Sequence, residues 1–445
     1  MTCYVKARPQ RSIYRGGYRP WLEGLEDRLT PSSLTELQTT PAPIAVGVQP
    51  LAQPNLISYA VTDATQVGGG YVTGVTGNAT GEAVAVGSDG SVFVAGQLTD
   101  PTSSDTDPQG YVKKVDSSGN VVYFVSIAAF PDPGSSTEIT GIAVDANGNA
   151  YLSGKAHNVD DGSDIGLALV LNPDASGFVY SLSISAGTFP LGTTAVAIDA
   201  AGDAVYAGFV NASPTVSDMV AARLAPDGSV VFSNAYTFPG GGSNVGNAVA
   251  MPASGASSTI VGWANATGVT SNQNGDLIKL SATGSVLRSV AFGSPTTDSA
   301  NGVALDAAGN TYVAGTVRIG NPTQAGFAFK LNAAITGFLW GGNPQVEFGS
   351  TANAITVAAG SVYVTGADSS GQAYISKLSG TNGTIQDYTV FGGTGGADVG
   401  NAIAVRASDG HIFDVGTTNS PDFPVTDGST LNGSTDGFLT EWTIP

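Results

Sequence analysis

The chain has a single cysteine, Cys3, among its 445 residues, so no intrachain disulfide can hold it together and cysteine usage does not report a compartment. It has two histidines, His157 and His411, too far apart in the sequence to suggest a zinc pair. Charged residues are scarce at 11%, and Gly is abundant at 61. Helices favour Ala, Leu, Glu and Lys, whereas Gly, Ser, Thr and Val dominate here, which argues against a helical protein. No run of 18 apolar residues occurs, and no membrane-spanning helix is expected. The Gly-x-Ser-x-Gly elbow, the phosphate-binding loop and the dinucleotide fingerprint are all missing. The sequence therefore nominates no catalytic residue, no cofactor site and no metal site.

What is present is acidic and unevenly charged. Residues 1–33 carry six Lys/Arg against three acids, while the remainder has a net charge of −22. Such a body repels nucleic acid and anionic membrane surfaces, which excludes nucleic-acid partners. A hydrophobic content of 42% is enough for a large core.

The strongest signal is internal repetition. The stretch AVDANGNAYLSG at 143–154 returns as AVGSDGSVFVAG (85–96), AIDAAGDAVYAG (197–208), ALDAAGNTYVAG (304–315), ITVAAGSVYVTG (355–366) and AVRASDGHIFDVG (404–416). A looser copy, AMPASGASSTIVG, lies at 250–262. The closing glycines, Gly96, Gly154, Gly208, Gly262, Gly315, Gly366 and Gly416, are separated by 58, 54, 54, 53, 51 and 50 residues. Each copy reads as four short strands joined by a tight turn, a variable loop and a second tight turn. Seven such units predict an all-β, seven-bladed propeller of four-stranded antiparallel blades over residues 55–445. The seventh copy stops after its third strand, Phe438–Trp442, and an orphan strand pattern lies upstream at Leu56–Val61. The expectation is that this N-terminal strand completes the last blade, because closure removes a free sheet edge.

These residues resemble the SBBP family of bacterial propeller repeats. Asn419-Ser-Pro-Asp-Phe-Pro-Val-Thr426, Asp436-Gly-Phe-Leu439 and Phe391-Gly-Gly393 match the family's loop, third strand and exit. The Asp-Phe-Pro loop survives in one blade. The resemblance implies a fold and a secreted life, and no shared catalytic residues. Upstream, Leu22-Glu-Gly-Leu-Glu-Asp-Arg28-Leu-Thr-Pro-Ser32 resembles the Leu-Glu-Asp-Arg export motif of planctomycete surface proteins. Residues 1–33 thus read as a disordered basic export segment, and 34–54, rich in Pro, Thr and Gln, as a linker.

Three features are weighed for chemistry. Asp145-Ala-Asn-Gly-Asn149 spaces oxygen-bearing side chains as a calcium loop does, but Ala150 and Ala156 stand where such a loop needs Gly and Glu. It reads as a tight turn capped by Asp145. A basic residue recurs in the third strand, as Lys114, Arg223, Lys279, Lys330 and Lys377, and reads as a structural ion pair or snorkelling side chain. Pairing with the turn carboxylate fits two copies, the third and the fifth, so it does not account for the pattern.

The variable loops all leave one face, where binding usually resides. On it, Asp100, Asp105 and Asp107 form one acidic loop and Asp160, Asp161 and Asp164 another, with Asp422 in the last. These seven are the candidate ligand-binding residues. The two loops read as solvated surface, with calcium or a cationic partner as the alternative. The function expected is an extracellular or cell-surface binding scaffold, monomeric, for a protein or glycan. The alternative is a carbohydrate-active lyase or glycoside hydrolase with carboxylates at the channel mouth.

Overall fold

The structure, a computed structural model, describes residues 77–99, 107–130, 132–186, 189–213, 216–238, 242–265, 273–293, 297–318, 324–341, 346–425, 431 and 433–444. It also describes the backbone of five short strands between residues 35 and 71. The segment 1–33 lies outside the described residues, as do Asp100 and Asp105.

Seven antiparallel sheets follow one another along the chain, and the described residues contain no helix. Blade 1 is built from Asn78–Val86, Val92–Thr99, Gln109–Val115 and Val121–Ala128. Blade 2 repeats the order with Ser136–Val144, Ala150–His157, Asp164–Leu171 and Phe178–Ser185. The inner strands of blades 3 to 7 are Leu191–Ile198, Asn244–Ala250, Asp298–Leu305, Thr351–Ala358 and Asp398–Val405. The fold is therefore a seven-bladed β-propeller.

Every inner strand bulges at the same place. The register slips at Glu82, Thr140, Thr194, Asn247, Asn301, Asn353 and Asn401, one residue per blade. A bulge turns the extra side chain away from its own ladder, and here it reaches the next blade. Thr140 Oγ1 donates to the Thr193 carbonyl at 2.8 Å and Thr194 Oγ1 to Gly246 at 2.6 Å. Asn247, Asn301 and Asn353 donate their amides to Ala300, Ala352 and Gly400 at 2.9, 3.1 and 2.9 Å. Asn401 donates to Gly81 at 2.9 Å, which links blade 7 back to blade 1. Glu82 is the exception in this ring, since an ionised carboxylate cannot donate.

The bulge also explains the closing glycines. Each faces the bulged inner strand so closely that a Cβ at Gly96, Gly208 or Gly416 would overlap the carbonyl oxygen of Thr80, Gly192 or Val399. The turn glycines serve another purpose: Gly148 has φ 85°, a left-handed value that favours glycine. Apolar side chains fill the spaces between blades, as where Val112 and Ile127 of blade 1 meet Ile139 and Leu152 of blade 2. Each such fully buried side chain contributes about 1.5–3 kcal/mol.

The seam differs from expectation. Within the expected closing strand, Asn55–Ser58 does not join the last blade; it pairs with Val125–Ala128 as a fifth strand on blade 1. Beside the third strand of blade 7, the two residues Gly70–Tyr71 pair with Phe438 and Leu439. The physical reason is that every blade presents a similar outer edge. An alternating extended segment fits any of them, and its pattern does not encode which. Within the segment read as a linker, Thr40–Pro41 and Gly47–Pro50 pair with the outer strands of blades 3 and 2.

Candidate functional site

The DANGN turn is architecture. Asp145 Oδ1 accepts the backbone N–H groups of Asn147 and Asn149, both at 2.9 Å, and Oδ2 accepts the Asn149 amide at 2.7 Å. Asp306 repeats this with Ala308 and Asn310. Its carboxyl, despite burial, is held below the usual carboxylate range by the Asn310 and Lys330 donors. Lone pairs engaged this way hold the turn closed.

The recurrent third-strand cation also has a structural task. Arg223 Nη2 lies 2.9 Å from Asp199 and 2.8 Å from Asp203, while its Nη1 donates to the Gly255 carbonyl of the next blade at 2.6 Å. Lys279, Lys330 and Lys377 donate to Ala333, Gly380 and Ile444, each in the following blade or its exit. Lys330 also meets Asp306 at 3.3 Å and sits over the Tyr312 ring. Lys114 lies 3.9 Å from Asp89. Blade 7 reverses the charges, with Arg406 on the turn and Glu441 on the third strand 2.9 Å apart. In blades 3 to 6 the cation latches onto a backbone carbonyl across the blade boundary, whereas in blades 1 and 7 its ion pair stays within the blade.

The opposite face, where the variable loops leave, holds a cleft of about 300 Å³. Its floor is blade 2. Strand registry places Glu138 directly opposite Lys155, and His157 directly opposite Asp164. Opposite charges in such cross-strand pairs stabilise the sheet by roughly 0.2–1 kcal/mol. Lys155 Nζ lies 3.0 Å from Glu138 Oε2, and His157 Nδ1 lies 2.8 Å from Asp164 Oδ1. Lys155 and His157, two apart on one strand, share a sheet face. Blade 3 supplies Leu191, Phe209 and Asn211 to the wall, and blade 1 supplies Gln97, whose amide donates to the Thr137 carbonyl at 3.2 Å. The His157 and Asp164 side chains are each 44% exposed, so a solute can reach both.

Glu82 stands near this group on the inner strand of blade 1. Burial pushes its carboxyl up, and the charge of Glu138 adds to the rise; the Thr80 hydroxyl and Lys155 oppose it. A half-buried acid, a carboxylate–lysine pair and a histidine–carboxylate pair thus lie near one another on this face. This set can accept and donate hydrogen bonds to hydroxyl groups, and it includes the parts of a general acid–base system.

Of the candidate residues, the structure brings Asp164 into the cleft. Asp161 lies close enough to His157 to be influenced by it; its carboxyl is held low mainly by the Ser163 hydroxyl and N–H. Asp160 sits in the same exposed turn, its N–H bonded to Asn158. Asp107 accepts the Gly134 N–H. Asp422 accepts the Thr394 N–H at 2.8 Å and is held low by Thr394, so it clamps a loop of blade 7. Among the described residues no group of three His, Cys, Asp or Glu is placed to hold a metal ion. Glu138, Lys155 and His157 escaped the sequence reading. Their signal was the two-residue spacing of Lys155 and His157 on a predicted strand.

The class defined by this fold is the seven-bladed β-propeller, and a family model for a propeller repeat also matches the chain. A β-propeller repeat family, SBBP, matches residues 127–161, a span from the outer strand of blade 1 through the inner hairpin of blade 2. No sequence relative is found among curated proteins. A polysaccharide lyase, Uly1, superposes with a TM-score of 0.50 at 11% identity, covering 91% of this chain and 99% of its own. The mitotic checkpoint complex gives 0.49 at 13% identity, covering 87% and 98%. The α-L-arabinanase of Penicillium chrysogenum gives 0.44 at 8% identity, covering 86% and 98%. At these identities the likeness is one of fold.

Proposed function

We propose that this chain is an exported β-propeller that binds a hydroxyl-rich ligand, an oligosaccharide in the first instance, in the cleft between blades 2 and 3. The observation that carries this reading is the cleft itself. It sets the Glu138–Lys155 and His157–Asp164 pairs beside the Gln97 and Asn211 amides and the Phe209 ring. Paired charges keep acceptor lone pairs free for sugar hydroxyls, and an aromatic ring offers a face to sugar C–H groups. Rigid strands hold the charged groups, while the surrounding loops vary. Export is supported by the basic start and the Leu-Glu-Asp-Arg resemblance; recovery of the protein from the cytoplasm alone would contradict it.

A second reading is favoured by one specific observation, the solvent-reachable His157–Asp164 pair next to Glu138. Those groups could serve as acid and base on a bound glycan, making the protein a lyase or hydrolase. The deciding experiment is a glycan array on the whole chain and on Lys155→Ala/His157→Ala, with chromatography of each bound glycan after incubation. Binding that the double variant loses, with the glycan unchanged, supports the binding module. Shortened or unsaturated products support the enzyme. Equal binding by both proteins rejects the cleft.

A further inference from the structure

The outer edges of the seven blades are not covered alike. On blades 1 to 4 a short N-terminal strand adds a fifth member to the sheet. Ile57 stands opposite Ser126 on blade 1, and Gln49 opposite Ser183 on blade 2. Pro41 stands opposite Tyr236 on blade 3, and Thr35 opposite Ala291 on blade 4. Toward the N-terminus, the chain therefore moves round the perimeter one blade at a time, in steps of 8, 8 and 6 residues. Such a step of extended chain covers roughly 20–26 Å.

Blades 5 and 6 come next, and among the described residues no N-terminal strand joins either; on blade 5 the outer position is shared by two short segments, Phe338–Trp340 and Val346–Phe348. The outer strand of blade 6, Ile385–Phe391, leaves Ile385, Tyr388 and Val390 45%, 40% and 42% exposed. Ser126, Ser183 and Ala235 hold the place of Val390 in blades 1 to 3, and all three are buried. An apolar, unpaired strand edge is a template for another extended segment.

The chain still has 34 residues before Thr35. Two more steps of the observed length bring blade 6 opposite residues 19–23, which read Arg19-Pro-Trp-Leu-Glu23. That stretch has the apolar side chains the edge calls for, Trp21 and Leu22. We propose that residues 19–30 continue the belt, pairing with the outer edges of blades 5 and 6 and laying Trp21 on the face that carries Tyr388 and Val390. The edge is thus an intramolecular docking surface for the chain's own N-terminal segment.

The test compares the full chain with its Trp21→Asp/Leu22→Asp/Leu25→Asp variant by amide hydrogen exchange, with sedimentation of both. The expected result is that peptides covering 385–391 exchange at least tenfold faster in the variant, while 121–128 on blade 1 are unchanged. Fast and equal exchange of 385–391 in both chains would overturn the proposal, because the edge would then be bare. So would slow exchange that persists in the variant and depends on protein concentration, because a second copy would then occupy the edge.

Discussion

Asp276 offers the sharpest test of how the repeats fix the core. In blades 1, 5, 6 and 7 its position on the third strand, opposite the closing glycine, holds Tyr111, Phe327, Tyr374 and Phe438. Blades 2 and 3 place Leu167 and Val220 there. Asp276 is fully buried, and neither carboxylate oxygen has a partner among the described residues outside its own backbone. Burial pushes its carboxyl well above the usual range, opposed weakly by its own N–H. Below the unfolded-state value both states hold the proton, and stability is unaffected. As pH rises through the window between the unfolded and folded values, the unfolded state ionises first. Stability then falls by about 1.4 kcal/mol per pH unit. Asp276→Leu removes that loss and the roughly 1–3 kcal/mol cost of a buried unpaired polar group. The site already takes Leu in blade 2, so crowding is small. The expected gain at pH 7 is about 2 kcal/mol or more, read as a rise in Tm by calorimetry. Asp276→Asn should flatten the Tm profile between pH 5 and 8. A less stable Leu variant, together with an Asn variant whose pH profile matches wild type, would refute the reasoning.

Other outcomes follow from the ring, the glycines and the latches. Glu82→Gln can donate where the carboxylate cannot, so it should raise Tm at neutral and alkaline pH and leave it unchanged in acid, as a raised carboxyl requires. Gly208→Ala forces a Cβ into the Gly192 carbonyl and should cost about 2–3 kcal/mol in denaturant melts. Arg223→Met leaves Asp199 buried without its cation and should cost about 3–5 kcal/mol, against under about 1 kcal/mol for exposed Lys155→Met. Equal losses at the two positions would contradict the latch.

The blade count was legible because each closing glycine answers a steric demand that recurs in every repeat, and the turns were legible because Asp145 and Gly148 carry their own geometry. The reason for the closing glycine was not legible, since it depends on a bulge across the ladder. The cation pattern read as structural ion pairs, as Arg223 and Lys330 form, but its other partners stayed hidden for a related reason. Its partners are largely backbone carbonyls of the next blade, such as Gly255 and Gly380, and a carbonyl leaves no mark in a sequence. At the seam the segment was misplaced: Asn55–Ser58 lies on blade 1, and Gly70–Tyr71, too short to leave a strand pattern, is what pairs with blade 7. The cleft was half visible: Asp164 was picked out as part of an acidic loop. Its partner His157 was judged only against His411, when the relevant neighbour stood across a strand pair.

The two histidines also supply the most direct test of the binding cleft. His157 lines the cleft, whereas His411 is bonded to Glu441 at 2.6 Å on the short-turn face. Their ring protons give two signals in a proton NMR spectrum. Titration with an oligosaccharide retained on the array should shift the His157 signal in a saturable way and leave His411 in place. A shift at His411 alone, or saturable binding that moves neither, would contradict the account.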